Sequence, residues 1–149
     1  MTTRIGFTSQ LGGEYLEDLE RLLFFNPQQN KALTGINEAI KDYGVPNIHI
    51  EAGKLRIRVD SLPGAQTVFA LEDSKEKAIL AGVMVYSRID IENLLLLHIA
   101  VREEYSKFGD KASLGLVNRM MGQLRGIAKK LSGVRSIHLK YAKGLVFPV

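Results

Sequence analysis

Residues 94–115 read LLLLHIAVREEYSKFGDKASLG, and this stretch decides the fold. Its first eight residues are apolar almost throughout, which is typical of a strand covered on both faces. A charged loop with one glycine follows, and a helical pattern resumes near Ser113. A strand, a glycine-bearing loop and a helix form a layout that often holds a phosphate, because unpaired amides at a helix start attract anions. The sequence therefore predicts a strand–helix–strand unit here, with its two strands parallel and its crossover right-handed.

The helix of this unit is predicted over residues 113–131, where apolar residues recur with a period of 3.6. Its apolar stripe consists of Val117, Met120, Met121, Leu124, Ile127, Ala128 and Leu131. Gly122 and Gly126 lie one turn apart on one face, and each costs about 1 kcal/mol relative to alanine. Such a cost predicts that this helix packs very close to a sheet. Residues 134–141 predict the closing strand, and an apolar tail follows.

The first half of the chain predicts helices and then antiparallel strands. A strand at residues 4–8 precedes a helix with leucines at 16, 19, 22 and 23, and a second helix is predicted between Asn26-Pro27 and Gly44. Residues 48–59 alternate as a hairpin around Ala52-Gly53, with one buried and one charged face. Further strands are predicted at 66–71, 77–86 and 93–101. The fold class is therefore α/β in the broad sense, more strictly α+β: one domain, residues 1–149, with a mixed, mostly antiparallel sheet and helices on both faces.

Composition excludes several classes of site. The 149 residues contain no cysteine, so disulfides, thiolate metal sites and cysteine nucleophiles are excluded. The three histidines are too scattered for a zinc site, and no metal site is predicted. The first residues lack the apolar core of a signal peptide, and the longest apolar run is far below the roughly 18 residues that span a bilayer. We therefore predict a soluble, cytoplasmic protein without membrane contact.

Charge is distributed unevenly along the chain. Residues 1–101 carry 10 Lys/Arg against 13 Asp/Glu, a balance of −3, whereas residues 102–149 carry 10 against 3, a balance of +7. This basic C-terminal third favours an anionic partner: a phosphate-bearing cofactor, nucleic acid or an acidic protein surface. A solvated basic face is the alternative. No aromatic residues interleave with the basic ones, which argues against nucleic acid.

The segment from Leu94 to Lys140 resembles acetyltransferases of the GNAT superfamily. The matching stretches are the strand LLLLHIAVREEY, the helix SLGLVNRMMGQLRGIAKKL and the sequence SGVRSIHL that leads into the next strand. The resemblance implies an acyl-CoA N-acyltransferase-like fold with acetyl-CoA as cofactor. It also implies that the first strand splays from its neighbour, so that the backbone of Ile99 and Val101 contacts the pantetheine arm. The following loop, with the pattern Gln/Arg-x-x-Gly-x-Gly/Ala, would then wrap the pyrophosphate.

The loop of this chain departs from that pattern. Tyr105 matches the aromatic residue that commonly precedes the loop, but Ser106 stands where Gln or Arg is expected. Gly109 is the one glycine retained, Asp110 adds a negative charge, and Lys111 replaces the second small residue. Lysine ammonium groups could replace part of the lost backbone contacts. The cofactor-binding candidates are therefore Ile99, Val101, Lys107, Gly109 and Lys111; an ordinary polar loop is the alternative.

The catalytic candidates also rest on the resemblance. An acetyltransferase needs a group that accepts a proton from the attacking amine and a donor for the leaving thiolate. Glu103 and His98 lie near the relevant strand end, and Tyr141 is a more distant candidate donor. The alternative roles are a solvated charge for Glu103 and a packed core residue for His98. The helix and last two strands of a full family member have no counterpart after residue 141.

Two hypotheses remain open. In the first, the chain is a GNAT-like acyl-CoA-dependent N-acetyltransferase that acts on a small-molecule or protein amine. In the second, it is a catalytically inactive binding or regulatory protein with the same fold. It would act as a homodimer through the open sheet edge and the basic C-terminal third. The tail KGLVFPV, residues 143–149, is apolar enough to cover that edge instead.

Overall fold

The computed structural model describes residues 4–24, 41–106, 109–139 and 146–149, which form two sheets, two α-helices and the end of a third helix at residues 41–43. In chain order the strands are β1 (Ile5–Thr8), β2 (Leu11–Gly12), β3 (Asn47–Glu51), β4 (Lys54–Arg58), β5 (Gln66–Glu72), β6 (Ile79–Arg88), β7 (Asn93–Val101), β8 (Ser136–Leu139) and β9 (Val146–Pro148). The helices are α1 (Leu16–Phe24) and α2 (Leu116–Lys130). Short 3-10 turns cover Gly13–Tyr15, Glu103–Tyr105 and Ala112–Leu114.

The larger sheet has six strands in the order β1-β5-β6-β7-β8-β9. Only the β7–β8 pair is parallel, and the other four described pairs are antiparallel. The α+β class, the mostly antiparallel sheet and the parallel arrangement of β7 and β8 are therefore confirmed. The smaller sheet has the order β2-β4-β3, and its β3–β4 hairpin was predicted. Strand β2 was not, because two residues leave no periodic pattern.

Each face of the six-stranded sheet carries its own helix, as predicted. On one face, α2 buries Leu116, Met120, Leu124 and Ala128, all with 0% exposure. On the other face, α1 buries Leu19, Leu22 and Leu23 together with residues of the smaller sheet. Apart from one bulge in each strand, at Ala81 and Leu97, successive residues of β6 and β7 point alternately into these two layers. This explains why both strands are apolar almost throughout.

The β3–β4 hairpin confirms the predicted turn, and the predicted buried and charged faces are confirmed in β4 but only in part in β3. Ala52 and Gly53 both have positive φ, +51° and +76°, as a two-residue type I′ turn requires. Leu55 and Ile57 of β4 are buried. Ile50 of β3 is 56% exposed, so the apolar face of the hairpin is only partly covered.

Two glycines of α2 correct a prediction about packing. A Cβ atom added at Gly122 or Gly126 would meet no other atom within 4 Å, so neither glycine allows a close approach to the sheet. Both lie on the outward side of the helix, opposite the buried stripe. The close approach occurs instead at Gly82 of β6, where an added Cβ would lie 3.0 Å from Met120 Sδ and 3.1 Å from the Ala100 carbonyl oxygen.

The C-terminal residues form β9, which pairs antiparallel with β8 and places Phe147 opposite Ile137. The tail therefore covers the edge of β8 within the chain itself. Most of the predicted second helix falls outside the described residues, although residues 41–43 are helical. Among the described helices, none has the length and apolar character needed to cross a bilayer.

Candidate functional site

The segment of β7 that bears on cofactor binding is its second half, beyond the described pairs with β8. The described part of the parallel ladder runs from Asn93↔Ser136 to Leu96↔Leu139, where the described residues break off, and β7 itself continues to Val101. Among the described residues, 97–100 therefore have β6 as their only neighbouring strand. Strand β7 also has a bulge at Leu97. It lies between Leu96 and His98, which both pair with β6, and it locally disrupts the β6–β7 ladder.

Ile99 and Val101 lie beyond that bulge and face the α2 layer. They pair with Met84 and Gly82 of β6, and both side chains pack in the core that contains Leu116. Val101 is 6% exposed. The backbone of this segment is thus held in place by well-packed side chains, which is the arrangement expected of a rigid binding strand.

His98 lies on the opposite face of the sheet. It pairs with Val85, which belongs to the α1 layer, and directly opposed residues in antiparallel strands share a face. Its Nε2 atom is buried and has no hydrogen-bond partner among the described residues. Burial lowers the pKa of the imidazole to about 4, so the ring is neutral at pH 7. Protonation at pH 7 would cost about 4 kcal/mol, and this environment therefore fits a packed core histidine better than a general base.

The loop after β7 folds back on itself through its own amides. The amide of Gly109 donates to the carbonyl of Ser106 at 3.0 Å, and that of Lys111 donates to the carbonyl of Glu104 at 2.7 Å. The amide of Ala112 donates to the carbonyl of Gly109 at 3.1 Å. Each of these amides already has an acceptor, so none of the three is available to bind a phosphate.

Gly109 is required by this loop for a steric reason. A Cβ atom added there would overlap the carbonyl oxygens of Glu103 and Glu104. Those oxygens carry partial negative charge, so a phosphate would meet repulsion on this side of the glycine. The glycine serves the packing of the loop against its own first turn. The carboxylate of Glu103 itself is exposed to solvent.

Lys111 is bound to a buried carboxylate, Glu72, at the end of β5. Its Nζ lies 2.7 and 2.9 Å from the two carboxylate oxygens of Glu72, which is 6% exposed. The hydroxyl of Tyr105, itself 2% exposed, donates to the same carboxylate, and Lys111 Nζ lies 5.1 Å from the centre of its ring. This cluster of Glu72, Tyr105 and Lys111 anchors the loop to the sheet.

The structure separates the predicted site residues into two groups. Glu103, Gly109 and Lys111 share one loop, whereas His98 lies on the other face of the sheet. Lys107 and Tyr141 lie outside the described residues. Sequence reasoning missed Glu72, because a single carboxylate at the end of an apolar strand does not reveal its burial. The Lys111 ammonium is already paired with the Glu72 carboxylate. Asp110 adds a negative charge to the same loop.

A cleft of about 470 Å³ lies elsewhere, between the smaller sheet and β5. Its polar lining includes Arg56, Arg58, Asp60 and Gln66. Glu51 forms ion pairs with both guanidinium groups, at 3.3 Å from Arg56 Nε and closer still to Arg58. The charges of these side chains largely balance, so the cleft has no strong preference for an anion.

Within the described ranges, no three His, Asp or Glu side chains are grouped as a metal site would require. Comparisons with known proteins identify no relative: no protein-family model, curated protein or solved structure matches this chain.

Proposed function

We propose that the chain is a binding protein with a GNAT-like fold whose loop after β7 does not hold acetyl-CoA. The observation that carries this proposal is that the polar groups of the loop are already bound to other groups of the protein. The amides of Gly109, Lys111 and Ala112 donate to loop carbonyls, and the Lys111 ammonium is bound to Glu72. A diphosphate group would have to displace these partners and would also meet the negative charge of Asp110.

The energetic cost supports the same conclusion. Lys111 is 37% exposed, so the pair is only partly buried, and leaving its buried acceptor without this donor costs about 1–3 kcal/mol. Glu72 would be left in this state if Lys111 turned towards a phosphate, because its carboxylate is 6% exposed. A new charge-assisted hydrogen bond returns only about 1.5–3 kcal/mol. The exchange therefore gains almost nothing, and repulsion from Asp110 opposes it.

Ligand-dependent stability tests this proposal directly. The full chain is unfolded thermally with millimolar acetyl-CoA, desulfo-CoA or ADP, and we expect no change in Tm with any of them. A ligand present at 100 times its Kd would add about 2.7 kcal/mol of stability, which is about 5–10 °C for a chain of this size. An acetyl-CoA shift of that size that disappears in Lys111→Met would refute the proposal.

The N-acetyltransferase remains the second candidate, favoured by the bulge at Leu97 of β7, where the β6–β7 ladder is locally disrupted. Beyond this bulge, the backbone of Ile99 on the side away from β6 could contact a pantetheine arm. Release of free thiol from acetyl-CoA in the presence of a panel of amines would support this candidate. The Tm measurement above is decisive between the two, since transfer requires the cofactor to bind.

A further inference from the structure

The outward face of α2 carries four cations that make no ion pair within the described part of the chain. These residues are Arg119, Arg125, Lys129 and Lys130, and all four are exposed. Residues 111–149 contain eight Lys/Arg and no Asp or Glu. Because no carboxylate of this segment can neutralise it, the face, which we call the cationic face, presents a concentrated positive charge to solvent.

From this face we propose that α2 binds the phosphodiester backbone of a double-stranded nucleic acid. The inference deepens the proposed binding function, on which it rests, by naming the class of partner. The other polar residues exposed on α2 are Asn118 and Gln123. Arg, Lys, Asn and Gln are side chains that commonly donate hydrogen bonds to phosphate oxygens. With 15 residues, α2 is about 22 Å long, which corresponds to about six base-pair steps.

Other partners fit the cationic face less well. Interfaces with proteins are depleted in lysine and enriched in aromatic anchors, whereas this face carries two lysines and no aromatic residue. A second copy of the same face would bring like charges together. A membrane-surface helix needs a free apolar side, and the apolar side of α2 is buried against the sheet.

The absence of aromatic residues also selects between forms of nucleic acid. Single strands are held chiefly by base stacking on aromatic side chains, which this face does not offer. Contact with a duplex backbone needs only cations and amide donors. Gly122 and Gly126 lie among the four cations and carry no side chain, so the helix backbone can lie close to the phosphates.

The test uses the full chain and a fluorescently labelled 20-base-pair DNA duplex of mixed sequence. Four phosphate contacts predict that log K falls against log salt concentration with a slope of about −3.6. Affinity should therefore fall about 150-fold between 50 and 200 mM salt. A wild-type chain that does not bind the duplex at 50 mM salt would overturn the proposal.

Two variants of equal net charge locate the contact. The test variant replaces Arg119, Arg125, Lys129 and Lys130 with Gln, whose helix propensity is similar. The matched control replaces four exposed cations elsewhere with Gln: Arg4, Arg21, Lys54 and Lys75. Each variant lowers the formal net charge from +4 to 0. We expect the test variant to lose duplex binding and the control to retain the wild-type slope; equal losses would overturn the assignment to α2.

Two competitors complete the test. A single-stranded 20-mer that competes better than the duplex would overturn the duplex assignment. A poly-glutamate peptide that binds α2 more tightly than the duplex at matched salt would instead identify an acidic protein as the partner. An acetyl-CoA shift would refute the absence of cofactor binding but leave this duplex measurement intact, so the two failures are distinguishable.

Discussion

Replacing Gly122 and Gly126 with alanine should stabilise the protein. Both residues lie in the interior of α2 and neither has a positive φ. Alanine in a helix is favoured over glycine by about 1 kcal/mol per position, and no atom within 4 Å would oppose either added methyl group. The double variant should therefore gain about 2 kcal/mol, which raises Tm by about 4–8 °C for a chain of this size.

Urea unfolding and a thermal scan measure this gain, and the m value should stay unchanged because the same surface is exposed on unfolding. Gly82→Ala, in the core that α2 packs against, should instead destabilise the protein. Its Cβ would approach Met120 Sδ and the Ala100 carbonyl oxygen at 3.0 and 3.1 Å, which should cost about 1–3 kcal/mol. A double variant less stable than wild type would mean that a neighbour covers these glycines, and the outward assignment of the cationic face would be wrong.

Three further predictions concern single sites. The pKa of His98 is about 4 in the folded chain and about 6.5 in the unfolded chain. As pH falls, the unfolded chain therefore binds a proton first, and about 3 kcal/mol of stability should be lost between pH 6.5 and 4. His98→Leu should abolish most of this loss in urea melts, whereas a similar rescue by His49→Gln, at an exposed position, would contradict the assignment. Lys111→Met should lower the free energy of unfolding by about 1–3 kcal/mol, and adding Glu72→Gln to the same chain should restore part of that loss. Strict additivity of the two substitutions in a double-mutant cycle would exclude an interaction between them. Ala52→Asn should raise stability by about 1 kcal/mol, because Asn tolerates the positive φ of a type I′ turn better than Ala; a lower urea midpoint would show that the turn differs in solution.

Much of the fold follows from local patterns in the sequence. The bounds of β7 agree with the predicted strand at residues 93–101, because a long apolar run between polar residues admits few alternatives. The period-two alternation of residues 48–59 likewise predicted the β3–β4 hairpin. Helix α2 begins three residues later than predicted, because residues 112–114 form a 3-10 turn.

The candidate site could not be predicted in the same way, because its determining contacts join distant parts of the chain. Lys111 and Glu72 are 39 residues apart, and their ion pair decides what the loop can bind. The role of Gly109 depends on two carbonyl groups of a turn that has no sequence signature. The two glycines of α2 show the converse error: their spacing is visible in the sequence, but the face on which they lie depends on tertiary packing.

The alternation along β6 and β7 also limits how the length of the chain can change. An added residue that is not absorbed as a bulge, as Leu97 is, would exchange the side chains of the two hydrophobic layers in everything beyond the insertion. Both layers would then lose their packing at once. The Ala52-Gly53 turn faces solvent and joins strands that are held by a separate sheet. Extra residues should therefore be tolerated at that turn and should destabilise the protein when they are inserted within the central strands.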